Sequence, residues 1–433
     1  TIETTPPWLK AVGEIRLESA SIILKNPTRS RKNEMTTYPL IKRLIAICSV
    51  LLLISCGGGG PSTGGGIGGT GIISSGTVSA HGSIFVNGLE FDTSDAVIIV
   101  NGENVGTGDQ IVRDYLDIGK VVLVEGTGDM DDNSAVANRV TYTDNVAGPV
   151  EIIADINATT KNIVVLGQSV ILNVLTKFKD TTFENIAQDD LVAVSGLVDD
   201  EAKIRATFIE KTGVFDPVNN NMVGVTGFVA NLDADLETFQ VNDLIVDYSE
   251  IDPDDLPTDF TDGSWVEVEG TLDAAGGEMT AQSIEPGDAI DDVDSDQIEV
   301  LGFVTNVDSA TEFTIGNQMV QVDGNTEYVD GDSANISIGI KLEAEGYLED
   351  GILYADEVEF WGPDQVELEG LVTDIASESE FTVGDQVVQT DAGTVFEPAD
   401  LDIEAGMMVE VKGVPVDIAY SVIVADKVSL EED

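Results

Sequence analysis

Apolar and polar residues alternate along most of this chain. In Val266-Glu267-Val268-Glu269 and Val366-Glu367-Leu368-Glu369 every second residue is apolar. That is the period of a strand with one buried and one wet face. The pattern closes on glycine five times: Val122 to Gly126, Val192 to Gly196, Val266 to Gly270, Leu342 to Gly346 and Val409 to Gly413. These glycines lie 70, 74, 76 and 67 residues apart, and nine to twelve residues after each comes Ala-x-x-Val/Ile, from Ala137-x-x-Val140 to Ala425-x-x-Val428. Each unit opens on Gly and a Val strand: Gly76, Gly148, Gly227, Gly302 and Gly370. Turn signals follow, such as Asn87-Gly88, Gly316-Asn317 and Gly384-Asp385, where positive φ favours a tight hairpin.

Three motifs in one order at one period predict five tandem repeats. No window carries a sustained helical stripe. The stretch before each closing strand, such as 183–190 or 398–404, has room for one helical turn. Five or six short strands in about 70 residues suit a small Greek-key barrel, and closure removes exposed strand edges. The fold expected is all-β: five tandem OB-like barrels, with a small sandwich or a β-solenoid as alternatives. The repeats are placed at 76–144, 145–213, 222–287, 297–361 and 365–430. Repeat 2 departs most at its start, Gly148-Pro149-Val150.

The N-terminus reads as an address. Residues 44–54 are an apolar run of eleven behind Lys42 and Arg43, the layout of a secretory signal helix too short to span a bilayer. Leu53-Ile54-Ser55-Cys56 followed by four glycines resembles a bacterial lipobox. That resemblance implies cleavage before Cys56, lipidation of Cys56 and, with Gly57 rather than Asp next, sorting to the outer membrane. Met35 then reads as the natural start. Residues 1–34 read as an unstructured extension, 35–55 as the signal peptide and 56–75 as a Gly-rich tether expected to be flexible.

Charge narrows the function. The chain has 80 acidic and 20 basic residues, one His and two Cys, a formal net charge of -60 and a pI near 4.1. Residues 1–55 hold eight of the basic and four of the acidic residues, so the mature chain keeps 12 and 76. No basic residue lies between Lys211 and Lys341, which argues against a nucleic-acid partner. Such acidity suits a secreted protein soluble in saline surroundings. Cys48 leaves with the signal and Cys56 carries lipid, so no thiol chemistry remains. His81 alone gives no triad to a nucleophile.

Two kinds of site are weighed against plain solvated turns and core packing. Acidic loops such as Asp292, Asp294 and Asp296 offer hard oxygen ligands. Yet Gln297 stands where an EF-hand needs Gly, and Phe303 where it needs Glu. No cofactor is expected beyond weak calcium binding there. The hairpin aromatics Phe85, Phe239, Phe313 and Phe381 recur and read as core. Trp265 and Trp361 do not recur, which makes them the ligand candidates.

The order Gly-x-Val, Phe-x-Val-x-Gly hairpin, Val-x-Val-x-Gly, Ala-x-x-Val on a Gly-tethered lipoprotein resembles the bacterial family catalogued as domain of unknown function 5666. The resemblance covers about residues 76–430. It implies OB-like tandem repeats at the envelope and supplies no catalytic residue. The function expected is a non-enzymatic, lipid-anchored spacer or interaction array. Its partners would be the membrane through Cys56 and an envelope glycan or protein. The alternative is a carbohydrate-binding or carbohydrate-processing envelope protein.

Overall fold

The computed structural model describes residues 71–430, except 81–82, 130–133, 219–221, 259, 274–276, 288–289, 291–294, 385 and 417–421. The signal peptide, Cys56 and His81 lie outside the described residues. Among those described, no helix is long and apolar enough to cross a membrane.

Five barrels follow in chain order. The first holds β1 (Gly71–Ala80), β2 (Ile84–Val86), β3 (Leu89–Asp92), β4 (Val97–Val100), β5 (Glu103–Thr107), helix α1 (Asp109–Tyr115), β6 (Val121–Asp129) and β7 (Ser134–Tyr142). The second holds β8 (Val146–Asn157), β9 (Thr160–Val165), β10 (Gln168–Leu172), β11 (Lys177–Lys179), β12 (Asp190–Val198) and β13 (Ile204–Val214). The third has β14 (Met222–Phe228), β15 (Ala230–Asp233), β16 (Thr238–Val241), β17 (Leu244–Asp247), β18 (Trp265–Leu272) and β19 (Glu278–Pro286). The fourth has β20 (Ser295–Ser309), β21 (Glu312–Ile315), β22 (Gln318–Gln321), β23 (Glu327–Val329), β24 (Lys341–Glu349) and β25 (Ile352–Trp361). The fifth has β26 (Val366–Ser377), β27 (Glu380–Val383), β28 (Gln386–Gln389), β29 (Val395–Glu397), β30 (Met408–Pro415) and β31 (Val422–Leu430).

All five close the same way. In barrel 5, β26 pairs antiparallel with β27 and β30, β27 with β28, β28 runs parallel to β31, and β31 returns antiparallel to β30. This is the OB-like Greek-key order expected from the repeat. A short 3-10 turn precedes β18 at Pro253–Asp255 and β24 at Ser333–Asn335. Barrel 1 departs: an extra hairpin, β4–β5, and α1 fill that place, with Val112 and Leu116 buried on its core.

The recurring residues have physical reasons. Each closing glycine sits at a bulge where its strand pairs with the last strand of its barrel, as at Glu345/Gly346. A Cβ on Gly346 would lie 2.0 Å from the Tyr354 carbonyl oxygen, far inside contact distance. Ala137, Ala206, Ala281, Ala355 and Ala425 are buried on the facing strand. A further recurrent device ties the loop after the third barrel strand to that same alanine. Thr176, Thr326 and Thr394 donate Oγ1–H to the carbonyls of Ala206, Ala355 and Ala425 at 2.7–2.8 Å. Phe239, Phe313 and Phe381 are core, each burial contributing on the order of 1.5–3 kcal/mol. Phe85 is not: it is half-buried between buried Ile84 and Val86, and Phe91 on β3 fills barrel 1 instead.

Two expectations need correction. The tether does not run to residue 75. Gly71–Ser75 form the first half of β1, paired antiparallel with β6 and parallel with β20 of barrel 4. Nor does each module wrap a separate interior. Ile72 packs in the core of barrel 1 while its neighbour Ile73 packs in that of barrel 4, because successive strand residues face opposite ways. Barrels 2 and 3 share one continuous core, bridged where Val146 and Ala147 of β8 pair with Val225 and Gly224 of β14. Barrel 5 keeps a sheet and a core of its own.

Candidate functional site

Where barrels 1, 2, 4 and 5 meet, the structure leaves two chambers with a common wall of Asn87, Glu367 and Glu369. The larger, about 760 Å³, falls within the range of ordinary small-molecule sites. Its walls carry Val78, Leu175, Leu197, Leu301, Phe303 and Leu368, with Lys177, Arg205 and Lys341 set among them. Three of the chain's twenty basic residues thus line one cavity, together with the acidic Asp364, Glu367 and Glu369.

Burial holds the Lys177 ammonium down to about 7. Burial likewise holds Lys341 down to about 8, against the opposing pull of Glu343 and Glu367. Lys341 Nζ donates to the Gln365 carbonyl at 3.0 Å and lies 4.7 Å from the centre of the Trp361 ring. Arg205 is paired with Asp199 at 2.6 Å. Trp361 ends β25, lines the cavity and is 7% exposed, and its indole Nε1–H is buried without a hydrogen-bond acceptor. An acceptor-bearing ligand would satisfy that donor.

The smaller chamber, about 320 Å³, is lined chiefly by eight glutamates and Lys412. They project from the outer faces of β20, β24, β25, β26 and β30. Strand register sets Glu299 opposite Glu345, Glu343 opposite Glu359, Glu345 opposite Glu357, and Glu369 opposite Glu410. Like charges directly opposite are unfavourable. Lys412 is the one cation among them, 2.6 Å from Glu359, 3.5 Å from Glu367 and 3.8 Å from Glu410. Burial alone would lower the Lys412 ammonium, but these carboxylates, Glu367 first, hold it above its ordinary range. Burial pushes the Glu299 and Glu367 carboxyls well up, helped by Glu343 and Glu410 respectively. Burial raises Glu343 to about 6.

The sequence-selected residues separate. Trp361 comes into the large cavity with Glu367 and Glu369 beside it. Trp265 lies away from it on barrel 3, half-buried, its ring centre 4.7 Å from that of the half-exposed Phe228. Asp292 and Asp294 lie outside the described residues, as does the side chain of Asp296. Among the described residues no group of three or more His, Cys, Asp or Glu is arranged to hold a metal ion. Sequence reasoning missed Lys177, Lys341, Lys412 and the opposed glutamates. Isolated basic residues in an acidic chain were the available signal. The expectation that glutamates on alternating strands are simply solvated fails for Glu343 and Glu369, 7% and 9% exposed.

The architecture is that of a tandem OB-like barrel protein. The chain belongs to the family described as Domain of unknown function (DUF5666), whose model matches residues 147–210, 226–285, 301–359 and 369–429. Those spans are barrels 2 to 5; barrel 1, with its inserted hairpin and helix, is not matched. Among curated proteins none matches the chain. A solved structure titled "drosophila Unr CSD456" is similar at 14% identity over 48% of this chain and 96% of that one, with a TM-score of 0.12. A score that low carries no argument.

Proposed function

We propose that this chain is a non-enzymatic, lipid-anchored binding protein of the bacterial outer membrane that takes a small amphipathic anion into the cavity between its barrels. One observation carries the reading: an apolar cavity of about 760 Å³ gathers Lys177, Arg205, Lys341 and the acceptorless indole N–H of Trp361. Apolar walls would hold the body of the ligand and the cations its head group. The lipobox at Cys56 supports the anchor and the location. The packing of barrel on barrel speaks for a built site rather than for five equal copies spaced along a tether.

The probe is decanoate, or the fluorescent anion 1-anilinonaphthalene-8-sulfonate, titrated into the full chain. One bound equivalent is expected, weakened at least tenfold by Lys341→Met. Absence of saturable binding, or binding indifferent to that substitution, defeats the reading. Cys56→Ala should release the protein from membranes; a variant still fractionating with lipid defeats the anchor.

The carbohydrate reading retains one supporting observation, Trp361 beside Glu367 and Glu369 in a deep cavity. Against it, the ammonium groups of Lys341 and Lys412 lie 4.7 and 4.6 Å from the centre of that ring, and 7% exposure leaves little ring face for a sugar to stack on. Glycan-array binding lost in Trp361→Ala would favour it.

A further inference from the structure

We propose that Lys341 captures apolar aldehydes inside the large cavity as a reversible imine, with the indole N–H of Trp361 holding the carbonyl oxygen. The inference rests on the reading that this cavity admits an apolar body, and it goes beyond that reading by naming a reacting atom.

An amine is a nucleophile only without its extra proton, and a lysine sheds that proton when it is desolvated or set beside another cation. Lys341 meets both conditions. It opens β24, and strand register places it between Phe303 of β20 and Trp361 of β25. It is 6% exposed. Its Nζ donates to a neutral acceptor, the Gln365 carbonyl at 3.0 Å, rather than to a carboxylate. Lys412 approaches the same indole, the two ammonium nitrogens lying 4.7 and 4.6 Å from its centre. The charged groups that face Lys341 are Glu343 on its own strand, Glu367 on β26, Asp364 in the linker and Lys412 on β30. Burial outweighs the three carboxylates and holds the ammonium down to about 8. At that pH about half of it is free amine, where an ordinary lysine has almost none.

Trp361 supplies the second part. Its Nε1–H is buried without an acceptor, on the ring that Lys341 overlies. A carbonyl carbon joined to Nζ carries its oxygen toward that ring edge. A donor waiting where negative charge develops on oxygen stabilises the addition. The walls select what arrives: Val78, Leu175, Leu197, Leu301 and Leu368 line about 760 Å³, room for a medium-length alkyl chain.

The step needs no other reagent. The Nζ lone pair forms the C–N bond while the C=O π pair moves onto oxygen. The two protons on nitrogen pass to that oxygen, the C–O bond breaks, and water leaves as C=N forms. Nothing is oxidised or reduced, and water reverses the step.

Decanal incubated with the full chain and quenched with borohydride tests this, because the imine is fixed as a secondary amine. One decyl group per chain is expected, placed on Lys341 by peptide mapping and formed at least tenfold faster than at any other lysine. Its rate should climb with pH and level off above about 8. Lys341→Arg should abolish it. Trp361→Phe, which keeps a ring and removes the N–H, should slow it at least fivefold, so that two variants guard against one failing to fold. Decanoate is titrated in parallel. Saturable decanoate binding with no adduct at Lys341 overturns this proposal and leaves the anion reading standing; failure of both overturns both. An adduct on Lys177, or one spread over exposed lysines, overturns the proposal as well.

Discussion

Gly346 and Glu343 sit three residues apart on β24 and show two ways in which one side chain decides a barrel. Gly346 is required by closeness: the Tyr354 carbonyl oxygen occupies the space a Cβ would need. Gly346→Ala must push the last strand of barrel 4 off its bulge, at a cost of about 1–3 kcal/mol, visible as a lowered midpoint in urea with little change in slope. Glu343 acts through protonation. Its carboxyl is raised from 4.5 to about 6, so the folded state binds its proton more tightly than the unfolded chain. Its contribution is complete below about 4.5 and is lost as pH climbs through about 6. Glu299 and Glu367, pushed up further, extend the same loss to higher pH. Lys177 and Lys341, held down to about 7 and about 8, act in the opposite sense, so the test compares variants: from pH 5 to pH 8 the wild type should lose more thermal stability, or gain less, than Glu343→Gln. The same pH profile in both would refute the assignment.

At the scale of the element, β1 does the work that the repeat pattern hides. The alternation of apolar and polar residues made strands, hairpins and the five-fold period legible, and with them the barrel. It could not say what covers the polar side of a strand. Ile72-Ile73 breaks the alternation, and that break is the one trace of a strand buried on both faces, shared between barrels 1 and 4. The opposed glutamates left a weaker trace. Val366-Glu367-Leu368-Glu369 reads identically whether its glutamates face water or another barrel, because the partner strands are far away in sequence. The Asn/Asp-x-x-Thr turn at Thr176, Thr326 and Thr394 recurs in the sequence and passed unread, because a turn threonine gives no sign of its bond to the buried alanine carbonyl. Ile73→Ala should cost about 2–5 kcal/mol, and because Ile73 belongs to barrel 4's core, the loss should appear as faster exchange of the β20 and β24 amides. Protection unchanged in β20 would mean that β1 contributes nothing there.

For the barrels together, cores and sheets do not divide the way the repeats do. Barrels 2 and 3 share one apolar core, and a continuous core unfolds cooperatively. Barrels 1 and 4 share a sheet through β1 and β20. Barrel 5 has its own sheet and the smallest of the four core clusters, and across the acidic chamber it meets barrel 4 through opposed carboxylates and the ion pair of Lys412 with Glu359. Barrel 5 is therefore the part held least firmly by apolar contact and the part most sensitive to what fills that chamber. Calorimetry of the full chain at pH 8 should resolve a first, small transition for barrel 5, followed by larger ones for the fused barrels. Lowering the pH to 5 should move that first transition upward toward the others, since protons relieve the repulsion between β24, β25 and β26. Hydrogen exchange assigns the transition: β30 and β31 amides should lose protection first at pH 8. A single transition at both pH values, with barrel 5 as protected as barrels 2 and 3, would show that the chamber does not control its attachment.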